Sequence, residues 1–183
     1  MSAIGDHLHL SLGTKRCAQQ LVEVAAAEAC SVSAVQATRE TLLPFYGVIG
    51  GKGVPNSPHL YSVETVREKP TPTEAEQHLL VPGLRAGHYL CFFGMHVFSP
   101  SIMDVLAETL AEASPGAVTQ LSPALANLAV RERYRALEIA GNRYNIGVKF
   151  GLLNAQLALA LSGSDREEVL AQLVELLAQR PRA

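Results

Sequence analysis

The sequence has no tryptophan, few other aromatic residues and little charge, and these shortages exclude several classes of protein. Charged residues make up 17% of the 183 residues, and hydrophobic residues make up 48%. Disordered chains show the opposite balance of low hydrophobicity and high net charge. Lys and Arg number 15 against 17 Asp and Glu, for a net charge of −2. Because this balance provides no basic surface to hold nucleic-acid phosphates, we expect no nucleic-acid partner.

Cysteines and long apolar runs are also scarce. Cys17, Cys30 and Cys91 stand far apart and form no CxxC pair, which is typical of reduced thiols in the cytosol. No apolar run reaches the roughly 20 residues that span a bilayer. The N-terminus lacks the basic start and apolar core of a signal peptide. We therefore predict a cytoplasmic protein with no membrane partner.

Helical and strand patterns alternate along the chain, which predicts an α/β domain with a mixed sheet flanked by helices. With no internal repeat and no long linker, we expect one domain over residues 1–183.

A Gly- and Pro-rich stretch predicts a flexible hairpin tip over 50–58, and further turns are predicted at 115–116 and 141–142. Thr73 and Glu76 have the spacing of a capping box at the start of a short helix. Helices are predicted over 17–29, 100–112, 122–133, 150–161 and 165–179, and strands over 31–37, 46–49, 60–66, 88–98 and 134–139.

The motif Asp6-His7-Leu8-His9 raises the question of a metal site. In a strand, the two histidines point to the same face. A zinc site needs a third ligand from elsewhere, so ordinary hydrogen-bonded histidines are the alternative. Asp6 follows a glycine at the end of a strand pattern, where ligand sites of α/β proteins gather, although an Asp there also stabilises turns.

Two further motifs have both a functional and a structural interpretation. The glycine cluster around Lys52 does not match a phosphate-binding loop, because Gly53 and Val54 follow the lysine instead of Ser or Thr and a helix. Glu68 and Lys69 stand side by side at a strand end. Their side chains diverge in a strand, so they suit two groups of one ligand, or else they form a solvated turn.

Taken in order along the chain, the sequence motifs resemble the later part of the sequence of the sugar-nucleotide pyrophosphorylases, in particular that of the bacterial UTP–glucose-1-phosphate uridylyltransferases. The resemblance covers nearly the whole chain, and its blocks are collinear at the separations of that family. The blocks are Gly5-Asp6, Tyr46-Gly47-Val48-Ile49, Val66-Arg67-Glu68-Lys69-Pro70 with Pro72, Phe93-Gly94-Met95-His96-Val97, Gln120-Leu121-Ser122-Pro123-Ala124-Leu125 and Arg143-Tyr144-Asn145-Ile146-Gly147-Val148-Lys149-Phe150-Gly151.

The resemblance implies a mixed Rossmann-like α/β sheet and a transfer reaction. Glucose 1-phosphate would attack the α-phosphorus of UTP in line, giving UDP-glucose and pyrophosphate, with Mg²⁺ neutralising the developing charge. Such chemistry depends mainly on positioning and electrostatics. The expected partners are a sugar 1-phosphate, UTP, and either a second copy of the chain or a companion N-terminal segment. A module of the same fold that binds sugar phosphate or assembles subunits without catalysis is the alternative.

The resemblance also assigns roles to substrate-binding residues. The backbone at Gly47 and Gly94 would approach the sugar, where a side chain would obstruct contact. Glu68 would accept hydrogen bonds from glucose hydroxyls. Lys69 would pair with the phosphate, as a catalytic residue, and Lys149 would reach the phosphates.

For the metal, the resemblance implies that Asp6 is a catalytic carboxylate that binds Mg²⁺. The second carboxylate of the family pair is replaced here by Asn145. An amide supplies a neutral oxygen without the charge that Mg²⁺ prefers, so we expect weak Mg²⁺ binding. The family also begins with a strand and a Gly-rich nucleotide-binding loop, which would precede Met1. We therefore expect this chain to be a fragment of such a protein, truncated at its N-terminus and inactive by itself.

Overall fold

A computed structural model describes residues 1–114 and 118–179. These residues divide into two compact units, one formed by 1–4 and 15–140 and the other by 5–14 and 141–183, of which the structure describes 5–14 and 141–179. The prediction of one domain over 1–183 stays a prediction. The turn predicted at 115–116 lies outside the described residues. No helix in the described part is long and apolar enough to cross a membrane.

The first unit contains a six-stranded mixed sheet, as the alternating pattern predicted. Its strands are β1 (Ser2–Ala3), β3 (Ser31–Arg39), β4 (Gly47–Val54), β5 (Ser57–Glu68), β6 (His88–Val97) and β7 (Tyr134–Glu138). Their spatial order is β1-β6-β3-β7-β5-β4, with a further pairing between β6 and β4. The pairing of β3 with β7 is parallel, and the other pairings described for this sheet are antiparallel.

Four α-helices and a short 3₁₀-helix accompany this sheet. They are α1 (Cys17–Glu28), the 3₁₀-helix (Glu40–Phe45), α2 (Pro72–His78), α3 (Ser101–Glu112) and α4 (Leu121–Arg131). The apolar faces of α3 and α4 lie in one core with the sheet, which includes Leu90, Leu125 and Tyr134. The apolar face of α1 packs into a second core around Phe93. Strand β6 is buried along most of its length, in keeping with its continuous apolar run, which is typical of a strand covered on both faces.

β4 and β5 form a hairpin as predicted, but the predicted flexible tip over 50–58 is wrong. The glycines of 50–53 lie inside β4, which runs on to Val54 and pairs with β5. The register shifts between Gly50 and Gly51, and a side chain on Gly51 would collide with the Ser62 carbonyl oxygen. Glycine is needed at that irregularity because the backbones approach closely. The run of glycines therefore marks a bulged strand, and only Pro55 and Asn56 separate the two strands.

The predicted capping box is also misplaced. Thr71, and not Thr73, caps α2: its hydroxyl accepts a hydrogen bond from the Glu74 backbone N–H, and the Glu74 carboxylate accepts one from the Thr71 N–H. Pro72 explains the difference, because proline favours the first helical position and thereby makes Thr71 the cap.

The second unit contains a two-stranded sheet and two helices. Strand β2 (His7–Ser11) pairs antiparallel with β8 (Gly141–Asn145), and helices α5 (Gly151–Ala160) and α6 (Arg166–Ala178) follow. The turn predicted at 141–142 is wrong, because Gly141 is the register partner of Ser11 within this pairing. Helix α6 has no buried residue, and Leu176 and Leu177 are exposed.

Candidate functional site

Gly47, Glu68 and Ser122 meet in the first unit. Gly47 and Glu68 are register partners at the ends of β4 and β5. Ser122, in the first turn of α4, donates its hydroxyl hydrogen bond to Glu68 Oε2. The serine hydroxyl therefore fixes one oxygen of the Glu68 carboxylate, and the other oxygen remains to accept hydrogen bonds from a ligand.

Gly47 is required by this arrangement for a steric reason. A Cβ at Gly47 would lie 2.8 Å from Phe92 Cδ2, 2.8 Å from Ser122 Oγ and 2.9 Å from Glu68 Oε2. These distances are too short for any real side chain, so residue 47 must be glycine for the carboxylate and the hydroxyl to meet. The sequence did not single out Ser122 as a site residue. The signal for it was the block 120–125, which the resemblance had included.

Lys69 follows directly after β5, with its side chain exposed. Its backbone has φ 46°, in the left-handed region, and its N–H donates to the Tyr46 carbonyl at 3.1 Å. This conformation is costly for a residue other than glycine. This left-handed residue follows directly after the last residue of β5, and the Lys69 side chain has no described ion partner.

Gly94 has a structural role in β6. Its φ of 90° suits only glycine, and its carbonyl oxygen accepts a hydrogen bond from the Ile4 N–H at 2.9 Å. A Cβ there would lie 3.4 Å from Ile4 Cδ1. The predicted contact of the Gly94 backbone with a sugar stays a prediction.

In the second unit, the structure brings Asp6 and Asn145 together. The Ile146 N–H donates to the Asp6 carbonyl oxygen at 2.9 Å, and the Gly147 N–H donates to Asn145 Oδ1 at 2.9 Å. A Cβ on Gly147 would lie 3.2 Å from both Asn145 Oδ1 and Asp6 Oδ2. Because residue 147 is glycine, the two oxygen atoms border a space that a side chain would fill.

His7 is the neighbour of Asp6 in sequence and contacts it. Its side chain is only 8% exposed, and its Nδ1 is 3.0 Å from Asp6 Oδ1. Burial, followed by the charge of Arg143, lowers the pKa of His7, which favours the neutral imidazole near pH 7. The ring also stacks on His9, with 6.3 Å between centroids.

These donors match a magnesium site poorly. Mg²⁺ takes oxygen ligands in an octahedral arrangement and relies on carboxylates to offset its dehydration. Here the charge comes from Asp6 alone, while the Asn145 oxygen is neutral and already accepts a hydrogen bond. Among the residues that the structure describes, no group of three or more His, Cys, Asp or Glu side chains could hold a metal ion.

Lys149 lies in the turn before α5 and is exposed. Its ammonium nitrogen is 5.0 Å from the centroid of the Phe150 ring, a cation–π contact. Phe150 itself has φ 63° at the start of the helix. Contact of Lys149 with a phosphate stays a prediction.

Comparisons with known proteins give a consistent result. No family model matches the chain. A UTP–glucose-1-phosphate uridylyltransferase of Streptococcus pyogenes serotype M3 is 31% identical over 175 residues, covering 93% of this chain and 52% of the relative. Another, from Bacillus subtilis, is 30% identical over 160 residues, covering 87% of this chain and 49% of the relative. The chain therefore spans about half the length of the curated relatives it matches.

Solved structures show the same fold. A UDP-glucose pyrophosphorylase complexed with UDP-glucose has a TM-score of 0.71 at 24% identity, covering 88% of this chain and 55% of that one. The UTP-bound enzyme from Acinetobacter baumannii also has a TM-score of 0.71, at 22% identity, over 94% of this chain and 54% of that one. Over about half of their length, then, the chain is related in sequence to the bacterial UTP–glucose-1-phosphate uridylyltransferases and has the fold of UDP-glucose pyrophosphorylases.

Proposed function

We propose that this chain forms the sugar-phosphate-binding part of a UTP–glucose-1-phosphate uridylyltransferase. The observation that carries the proposal is the Gly47–Glu68–Ser122 arrangement with Lys69 next in sequence. A carboxylate held by a hydroxyl suits sugar hydroxyls, and an exposed lysine at the next position suits a phosphate. The relatives in sequence support this proposal, because they are named as UTP–glucose-1-phosphate uridylyltransferases.

In the complete reaction, an oxygen of the glucose 1-phosphate attacks the α-phosphorus of UTP, and pyrophosphate leaves. Glu68 would orient the glucose ring through its hydroxyls, and Lys69 would hold the phosphate in place. Gly94 would bring backbone close to the sugar, and Lys149 would contact phosphate groups. Positioning of this kind supplies much of the acceleration of such transfers.

Several parts of the proposal concern the complete protein. Because the chain spans about half of its relatives' length, we expect these residues alone to bind glucose 1-phosphate without converting it. UTP would need a companion N-terminal segment, and assembly as a homo-oligomer is a further expectation.

The three cysteines stand far apart without a CxxC pair, which favours reduced thiols and a location in the cytoplasm. A non-catalytic module is not favoured, because the relatives above are named as enzymes.

We further propose that Mg²⁺ binds at Asp6 and Asn145, and only weakly. One carboxylate cannot offset much of the dehydration of this ion. We assign no step of the reaction to a metal held by these two residues.

Calorimetric titration of the full chain with glucose 1-phosphate tests the sugar-phosphate proposal. Removing the ammonium group with Lys69→Ala should cost about 1.5–3 kcal/mol, or about one to two decades in affinity. Lys52→Ala is the matched control, because Lys52 is also an exposed lysine but lies inside β4 and pairs with Glu64. Equal affinity of Lys69→Ala and the parent would contradict the proposal, as would an equal loss in Lys52→Ala.

A further inference from the structure

Ser122 is a buried polar residue that reaches the candidate site from a distant part of the chain. It is 5% exposed, and its hydroxyl donates a hydrogen bond to Glu68 Oε2. This bond occupies one oxygen of the carboxylate and leaves Oε1 to accept hydrogen bonds from a ligand. The serine therefore acts on the one side chain to which the sugar-phosphate proposal assigns the sugar hydroxyls.

The direction of the Glu68 side chain follows from the alternation of β5. Val66, two residues earlier, lies in the same core as Leu125 of α4. Since alternate residues of a strand share a face, Glu68 extends from the face on which α4 packs. Glu68 is the last residue of β5 and is half-buried. Its carboxylate therefore stands at the margin of this core, next to the first turn of α4.

The first turn of α4 favours a carboxylate at this position. It contains no acidic residue, and the side chain of its N-cap residue, Gln120, makes no capping hydrogen bond among the described residues. A helix N-terminus attracts negative charge because its first backbone N–H groups lack partners within the helix. The Glu68 carboxylate supplies that charge from β5. The Ser122 hydroxyl and the end of the helix thus favour the same orientation of the carboxylate.

A carboxylate that is held in advance binds a ligand better than a mobile one. A glutamate side chain loses rotamer freedom when it becomes ordered, and in a preorganised site this loss does not reduce the affinity for the ligand. Gly47 gives room for the bonded pair, because a Cβ there would lie 2.8 Å from Ser122 Oγ and 2.9 Å from Glu68 Oε2.

We propose that Ser122 is a positioning residue for sugar binding, which holds Glu68 so that Oε1 accepts hydrogen bonds from hydroxyl groups of the sugar. The inference rests on the proposed function, in which Glu68 orients the sugar of glucose 1-phosphate. The serine acts through the carboxylate, since its hydroxyl proton is already donated to Oε2.

Calorimetric titration of the full chain with glucose 1-phosphate tests this role. Ser122→Ala should lower the affinity about tenfold, because the ligand must then order the carboxylate itself. Ser122→Thr retains a hydroxyl group and should bind like the parent. Ser122→Cys replaces the hydroxyl with a weak donor, so it should lose affinity as the alanine variant does. It keeps the test decisive if the alanine variant does not fold.

Ser101→Ala is the matched control. Ser101 also lies in the first turn of a helix, α3, and its hydroxyl donates to the carboxylate of Glu132. Glu132 directly follows α4, at the end opposite to Ser122, so the loss of this bond should affect folding stability alone. Urea unfolding should show that both alanine variants are less stable than the parent, whereas only Ser122→Ala should lose affinity for glucose 1-phosphate.

A double-mutant cycle separates positioning from a general structural effect. Glu68→Ala removes the group on which Ser122 acts, so adding Ser122→Ala to it should cause no further loss of affinity. Lys69 remains in both variants to bind the phosphate. A further loss of about tenfold in the double variant would show that the serine acts by another route, and it would overturn the proposal.

The outcomes distinguish this inference from the proposed function. If the parent binds glucose 1-phosphate and Ser122→Ala binds it equally well, the inference is overturned while the proposed function stands. Equal losses of affinity in Ser122→Ala and Ser101→Ala, or a Ser122→Thr variant as weak as the alanine variant, also overturn it. A parent that does not bind glucose 1-phosphate contradicts the proposed function and this inference together.

Discussion

At the scale of single residues, Gly47 shows how an absent side chain can shape a site. The Glu68 carboxylate, the Ser122 hydroxyl and the Phe92 ring all occupy the region where a Cβ would stand. The glycine thus has a steric role in addition to the backbone contact that the resemblance implied for it.

Gly47→Ala should weaken glucose 1-phosphate binding by at least about tenfold, because the new methyl group displaces the Glu68 carboxylate from Ser122. The loss of that charged hydrogen bond corresponds to about 1.5–3 kcal/mol. Gly53→Ala, on the same strand, meets nothing within 4 Å and should bind like the parent. Calorimetry on both variants checks the expectation, and similar affinities in the two would contradict it.

His96 is a second residue whose environment the structure decides. It is buried, its Nδ1 contacts the Ser33 hydroxyl, and its ring stacks on Phe98. Burial lowers the pKa of His96 to about 4, whereas the unfolded chain protonates near the ordinary value of 6.5. The unfolded state therefore binds more protons between these two values, and stability falls as the pH decreases through this range.

The free energy of unfolding should accordingly drop by about 2 kcal/mol from pH 7 to pH 5 on account of His96. Urea unfolding at the two pH values measures the change. In His96→Gln, which cannot titrate, the difference between pH 7 and pH 5 should shrink by about that amount. An identical difference in the parent and the variant would show that His96 does not cause it.

At the scale of elements, local signals predicted most helices and strands, and long-range pairing decided the exceptions. The periodicity of 17–29 and the apolar run of 88–98 predicted the bounds of α1 and β6 within a few residues. A helix with one buried face repeats its apolar residues every three to four positions, and a strand buried on both faces is apolar throughout. The glycines of β4 and the Gly141-Asn142 pair carry turn chemistry, yet both lie in strands. Partner strands supply hydrogen bonds that no local pattern records.

The start of α2 offers a test at this scale. Thr71→Ala removes the hydroxyl that caps the helix and should lower the free energy of unfolding by about 1 kcal/mol. Thr73→Ala, inside the helix and exposed, should leave stability unchanged or slightly raised, since alanine is the better helix former. Urea unfolding of both variants distinguishes the cap in the structure from the one predicted from sequence, which would give the reverse order.

At the scale of the whole molecule, metal binding should be linked to folding through Asn145. In Asn145→Asp, two carboxylates would border the space at Gly147 and repel each other until a cation enters. The variant should therefore melt at a lower temperature than the parent without Mg²⁺. Mg²⁺ should then raise its stability, by about 1.4 kcal/mol at ten times the dissociation constant.

Thermal melts of the parent and Asn145→Asp, each with and without millimolar Mg²⁺, measure this linkage. The parent should respond little, because Asp6 alone attracts Mg²⁺ weakly. If both proteins respond alike, Asp6 and Asn145 do not act on a common ion.

The sequence by itself determined the type of most elements and the relationship to the uridylyltransferases. Periodicity is local, and the family blocks keep their order along the chain, so both can be found without coordinates. Glu68 and Lys69 were predicted as site residues in this way, and so were Asp6 and the amide at Asn145.

Only the tertiary structure decided which side chains meet. Ser122 is 54 residues from Glu68, and the pairing of β2 with β8 places His7 opposite Asn145 from a distant part of the chain. Sequence patterns report on neighbours along the chain, whereas these contacts depend on sheet register and on the space that Gly47 and Gly147 leave. Burial of His7 and His96 likewise follows from packing, because a histidine in an apolar stretch has the same local pattern whether or not other elements cover it.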